Sequence, residues 1–188
     1  MPNERTFLDD DELEQFFDDH FKKSLFRMEV LDFYEPDSEQ FERYRRGEPG
    51  PDMERKQEWL TYITDEVNAG HPMRRVHIVR SPLNEYLRFA CDWGYSYNAQ
   101  AGEQIKILDL AVKSADESII FEDFWIIDDK FVVVMHYDNK GVFLKGEVLP
   151  EEETPRYLLA QDAAWADGEP FTSYWNNHSQ NGKAQQHA

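Results

Sequence analysis

The strongest apolar signal in the chain lies at residues 121–149, FEDFWIIDDKFVVVMHYDNKGVFLKGEVL, where short hydrophobic runs alternate with turn residues. Residues 124–127 and 131–135 are apolar on both strand faces and rich in β-branched and aromatic side chains. That pattern belongs to strands in the middle of a sheet covered on two sides. Asp128-Asp129 between them suits a two-residue hairpin, because Asp tolerates the left-handed backbone of a type I′ turn. Residues 138–141 form a longer turn in which Gly141 can take positive φ. Beyond it Val142, Leu144 and Val148 alternate with Phe143, Lys145 and Glu147, which predicts a strand with one wet face, nearer an edge. Phe124, Ile126, Val132 and Val134 are the expected centre of the core.

Taken in order, the remaining pattern is mixed. Asp11 with Glu14 reads as a capping box, followed by an apolar stripe of Leu13, Phe16, Phe17 and Phe21 at helical spacing. Residues 24–32 (SLFRMEVLD) read as a strand, with Leu25, Met28 and Val30 inward. A short helix over 38–46 carries Phe41 and Tyr44 and stops at Gly47. Asp52 caps a longer helix ending near Gly70, its buried face being Trp59, Leu60, Ile63 and Val67. A strand at 73–79 leads to a helix opened by Ser81-Pro82, proline being pre-set for the first helical position. Leu83, Leu87, Ala90 and Cys91 form that helix's core face, with Tyr86, Phe89 and Trp93 beside it. Residues 98–102 read as a turn before a strand containing Ile105, Ile107 and Leu108. A last helix spans 151–166, packing through Tyr157, Leu158, Ala164 and Trp165, with Glu151, Glu152 and Glu153 favourable at its N-terminus.

The expected fold class is α/β (α+β mixed). It is a single domain, 1–175, with a mixed parallel and antiparallel sheet and helices on both faces. Residues 176–188 are polar and of low complexity, and are expected to be a mobile tail.

Composition narrows the function classes. The 188 residues include 38 Asp and Glu against 20 Lys and Arg, a formal charge of −18. This argues against general binding to nucleic acid or an anionic membrane, while leaving a basic protein partner open. The bland reading of the charge is solubility. A single cysteine, Cys91, excludes an internal disulfide and fits a reducing compartment. No segment reads as a signal peptide or membrane span, so the cytoplasm is the expected location.

Candidate chemistry is sparse. The six histidines, His20, His71, His77, His136, His178 and His187, show no metal-site spacing. No nucleophile elbow, Walker loop or dinucleotide fingerprint occurs. Neither a catalytic residue, a metal nor a cofactor is therefore assigned. Arg74, Arg75, His77, Arg80 and Arg88 form the one locally basic region. Strand alternation puts Arg74 and Arg80 on one face and Arg75 with His77 on the other. Arg80, Ser81 and Arg88, at a strand end and helix start, are the candidate anion site, with His136 as a possible base beside them. The competing reading is a solvated strand end and a structural histidine.

Two resemblances bear on this. The segments MRRVHIVRSPLNEYLRFA, NAQAGEQIKIL, FEDFWIIDDKFVVVMHYDNKG and AAWADGEPFTSY resemble a family of uncharacterised actinobacterial proteins, a domain of unknown function often encoded beside helix-turn-helix regulators. That resemblance implies bacterial origin and a regulatory setting. FEDFWIIDDKFVVVM is also similar to the strand pair carrying the H-x-K-x-x-x-x-D motif of phospholipase-D-like proteins. Aligned on Asp128, Phe121 stands at the histidine position and Asp123 at the lysine position, so the likeness implies a half-fold of that kind without its phosphodiester chemistry. The expected function is a non-enzymatic regulatory protein that binds a partner protein, a helix-turn-helix regulator being the simplest. The alternative is a small anionic-ligand sensor or enzyme at Arg80, Ser81 and His136. Oligomeric state is not legible.

Overall fold

The computed structural model describes residues 5–35 and 38–183. Its centre is an eight-stranded mixed sheet: β1 (Thr6–Leu8), β2 (Leu25–Glu29), β3 (Met73–Val79), β4 (Gln104–Asp109), β5 (Phe124–Ile127), β6 (Phe131–Tyr137), β7 (Phe143–Val148) and β8 (Glu169–Pro170). The spatial order is β1-β7-β6-β5-β2-β3-β4-β8. β2, β3 and β4 run parallel, and all other neighbours are antiparallel. The expected mixed α/β class is what the chain forms.

Helices cover both faces. One face carries Phe26, Met28, Val76, Phe124, Ile126, Val132 and Val134 under α6 (Thr154–Asp167), which brings Tyr157, Ala160 and Ala164. The other is covered at one end by α1 (Asp10–His20) and α3 (Met53–Asn68), over Leu25, Met73, Ile127 and Val133. At the other end of that face lies a helical segment with α2 (Ser38–Arg45) against it. The segment runs as α4 (Glu85–Phe89), six π-helical residues (Ala90–Tyr95) and α5 (Ser96–Ala101).

Local chemistry explains the element ends. Asp128 and Asp129 take φ of 56° and 54°, as the hairpin requires. The Asp128 carboxylate also accepts the N–H groups of Lys22, Lys23 and Ser24 at 3.1, 2.7 and 3.0 Å, tying this turn to the start of β2. Asp52 caps α3 as expected. Gly141 sits at φ 76° with Phe33 O only 2.5 Å from where a Cβ would stand, so no other residue fits there.

Several expectations need correction. The capping box is Asp9 with Glu12, two residues earlier than the Asp11/Glu14 reading, because α1 begins at Asp10. Ser81-Pro82 is a cis peptide and does not open a helix; Asn84 caps α4 instead, its side chain accepting from Leu87 N at 2.7 Å. Residues 98–101 continue the helix, and only Gly102, at φ 115°, turns the chain. Leu144 points to solvent, 58% exposed, because a bulge between His136 and Tyr137 shifts the register with β7, and Glu147 is buried, pairing with Arg5 and His136. The polar stretch from residue 176 is helical as far as 183, in α7 (Phe171–Lys183). α7 is anchored by buried Phe171 and by Tyr174, whose hydroxyl donates to Asp109 Oδ2 at 3.0 Å. The rest of the expected tail, 184–188, lies outside the described residues. Among the described residues, no helix is long and apolar enough to cross a membrane.

Candidate functional site

Residues Arg27 and Glu29 alternate with Phe26 and Met28 on β2, so both charges face inward beneath the helical segment. Arg75 and His77 occupy the same face of β3, in register with Arg27 and Glu29. Asp123, just before β5, and Tyr137 at the end of β6 complete this row. All are buried except Tyr137, which is partly so.

Burying charge is tolerable only with partners, and the partners form one network. Arg27 Nη2 donates to Asp123 Oδ1 at 2.9 Å and to the Tyr137 hydroxyl at 3.1 Å, with its guanidinium 5.0 Å over the Trp125 ring. Tyr34 donates to the same Asp123 oxygen at 2.6 Å. Arg75 pairs with Glu29 Oε1 at 2.8 Å and donates to Glu103 Oε1 at 2.9 Å. Glu103 Oε2 in turn accepts from Asn98 Nδ2 at 2.8 Å. Burial alone would raise the Glu29 carboxyl, but Arg75 and Arg27 more than offset it and hold it far below the usual carboxylate range.

Both ring nitrogens of His77 are engaged. Its Nε2 lies 2.9 Å from Leu31 O, which can only accept, so Nε2 carries a hydrogen. The Tyr95 hydroxyl has two partners, His77 Nδ1 at 2.6 Å and Glu29 Oε2 at 2.7 Å, but one hydrogen. The second hydrogen belongs to His77 or to Glu29. Either way both ring nitrogens are engaged by protein groups, and His77 has no lone pair to offer a substrate.

This network floors a cavity of about 600 Å³, a size suited to a small organic ligand. Its walls are aromatic: Tyr34, Tyr86, Phe89, Trp93, Tyr95 and Trp125 among them. The π-helical stretch shapes one wall, presenting Trp93, Gly94 and Tyr95; such stretches often mark functional positions. Two donors of the lining are buried without a hydrogen-bond partner: Arg27 Nη1 and Gln40 Nε2. Gln40 is otherwise engaged, its Oε1 accepting from Asp52 N at 3.0 Å.

The four residues singled out from sequence lie elsewhere. Arg80 is exposed, reaching Leu110 O at 3.5 Å, and the Ser81 N–H donates to Asp109 Oδ1 at 3.0 Å. Arg88 is on α4, half-buried. His136 is on β6, three strands from β3, roughly 14 Å at the usual strand spacing. There it is held by Glu147 Oε2 at 2.7 Å. The structure does not bring His136 to Arg80, and none of the four lines this cavity. The site residues that sequence reasoning missed are Arg27, Glu29, Tyr34, Gln40, Tyr95 and Asp123. Arg75 and His77 were correctly placed together on one face, but only as members of the one locally basic region. Among the described residues no cluster of three or more His, Cys, Asp or Glu could hold a metal.

A mixed α/β domain with an aromatic cavity floored by a closed charge network is the class that fold and site define. By sequence, the chain belongs to the family described as "Domain of unknown function (DUF6879)", whose model matches residues 11–176. No curated protein matches it.

Proposed function

We propose that the domain is a receptor for a small organic ligand, bound in the cavity above Arg27 and Arg75, and that it senses the ligand rather than transforming it. The observation that carries this is the pair of buried, unpartnered donors, Arg27 Nη1 and Gln40 Nε2, in one aromatic cavity. An unpaired buried donor costs about 1–3 kcal/mol, which a ligand acceptor recovers. The engaged nitrogens of His77 favour binding over general base catalysis, and the Cys91 thiol, pushed up chiefly by burial, is no nucleophile.

Gly94 provides the test. It lines the cavity, and a Cβ added there meets nothing within 4 Å. Gly94→Leu should therefore plug the site without strain, and losing a helical glycine should keep or raise the melting temperature. Screening a fragment library by ligand-observed NMR should find binders of the native chain that the Leu variant no longer holds. Binders retained in full by Gly94→Leu would refute the receptor reading.

The partner protein expected from the acidic composition enters as the reader of the bound state. Its support is the charge of −18 together with the resemblance to actinobacterial proteins encoded beside helix-turn-helix regulators. A pull-down from the native host that recovers no such regulator removes it. The phospholipase-D-like likeness is one of fold alone in this reading, since Asp123, at the motif's lysine position, is engaged with Arg27 and Tyr34.

A further inference from the structure

The geometry points to a flat aromatic carboxylate, a monoanion, as the ligand class; this rests on the receptor reading above. Three features select it. Both unpartnered groups of the lining, Arg27 Nη1 and Gln40 Nε2, are donors, so the ligand must present acceptors, and a cationic amine gains nothing. One of those donors is a guanidinium nitrogen on a residue that is 3% exposed, where a charged acceptor makes a shorter and stronger bond than a neutral carbonyl.

The second feature is the charge of the floor. Two guanidiniums, Arg27 and Arg75, are already matched by three carboxylates, Glu29, Asp123 and Glu103. A ligand carrying one negative charge meets less repulsion there than one carrying two, which sets a carboxylate above a phosphate dianion. Third, the walls present ring faces and edges. Phe89 meets Tyr86 tilted and Trp93 edge-on, at 5.6 and 6.0 Å between centroids, and a flat aromatic ligand can join this cluster edge-to-face, a contact a saturated ring lacks.

The experiment titrates the native chain with benzoate, benzamide, cyclohexanecarboxylate, benzylamine and phenyl phosphate, following Kd by NMR, and repeats it on Gln40→Glu and Gly94→Leu. Gln40→Glu keeps an oxygen for the Asp52 N–H but replaces the free donor with a carboxylate. Benzoate should bind tightest, about tenfold over phenyl phosphate and severalfold over its cyclohexane analogue. Gln40→Glu should weaken benzoate at least tenfold and benzamide much less. Benzamide, benzylamine or phenyl phosphate binding as tightly as benzoate, or benzoate indifferent to Gln40→Glu, would overturn the carboxylate inference. If those probes still lose binding in Gly94→Leu, the receptor reading stands while the ligand class falls. If none binds the native chain, or binding survives Gly94→Leu, both fall together.

Discussion

A chain carrying Val133→Asp should not accumulate as soluble folded protein. Val133 lies on β6, two strands from one edge of the sheet, and is fully buried beneath α1 with Leu25, Ile127 and Val148. Losing its burial costs about 1.5–3 kcal/mol. An ionised carboxylate in the same place, with no cation beside it, adds several kcal/mol more. Together these approach the whole stability of a domain this size, about 5–15 kcal/mol. Val134→Asp, aimed at the opposite layer beneath α6, should fail in the same way. Val142→Asp is the control, because Val142 is exposed just before β7 and should tolerate the charge. Soluble protein with a cooperative urea transition from either buried variant would show that β6 is not the covered strand described here.

Glu29→Gln should be the most damaging substitution in the cavity floor, and its effect should depend on pH. At neutral pH it leaves Arg75 short of one charged partner and takes the carboxylate acceptor from the Tyr95 hydroxyl, an expected loss of about 3–5 kcal/mol for a broken buried pair. The sign of the pH dependence follows from the depressed Glu29 carboxyl. In the unfolded chain it titrates near 4.3, and in the folded chain far lower. Its contribution is therefore complete above that unfolded value and is lost as pH falls towards the folded one. Urea midpoints of native and variant chains should differ most at pH 7 and 5, and the gap should narrow steadily as pH falls from 4 to 3. A gap that stays constant down to pH 3 would mean that Glu29 is not held ionised by Arg27 and Arg75.

The two carboxylate effects, one introduced and one removed, show where sequence reading succeeds. A run such as FVVVM is apolar at both phases of the pleat, so its place under two layers follows from pattern alone. The Asp128-Asp129 turn and the Asp52 cap are local chemistry, decided within a few residues, and both were legible. β3, residues 73–79, was placed to the residue. β1 and β8 were not legible, being three and two residues long and paired with strands far away in the chain, such as Thr6 with Val148. α7 was hidden because its polar composition overrides two buried rings, Phe171 and Tyr174, that dock it on the sheet.

The cavity was harder to read for a related reason. In LFRME, Arg27 and Glu29 alternate with apolar residues, which in a single sequence looks like the wet face of a strand. What makes that face dry is the helical segment 85–101 above it, together with partners up to 110 residues distant, as Tyr137 is from Arg27. The one available signal was arithmetic: Arg27 and Glu29 on one strand, Arg75 and His77 on another, each pair two residues apart around an apolar residue. Arg80 and Arg88 drew attention instead because they stood near Pro82, which was read as a helix start. With α4 beginning after Asn84, that anchor point disappears.

The most direct test of the receptor account uses the five tryptophans of the chain. Trp59, Trp93 and Trp125 line the cavity, whereas Trp165 packs beside α6's own core and Trp175 lies on α7, its indole N–H donating to Asp92. Assigned indole N–H signals in ¹⁵N-labelled protein, followed while benzoate is added, report on all five at once. The account expects the Trp93 and Trp125 signals to move and saturate together, with Trp59 following at the cavity rim and Trp165 and Trp175 unmoved. Saturable shifts confined to Trp165 and Trp175, with Trp93 and Trp125 unchanged, would place the ligand elsewhere and contradict it.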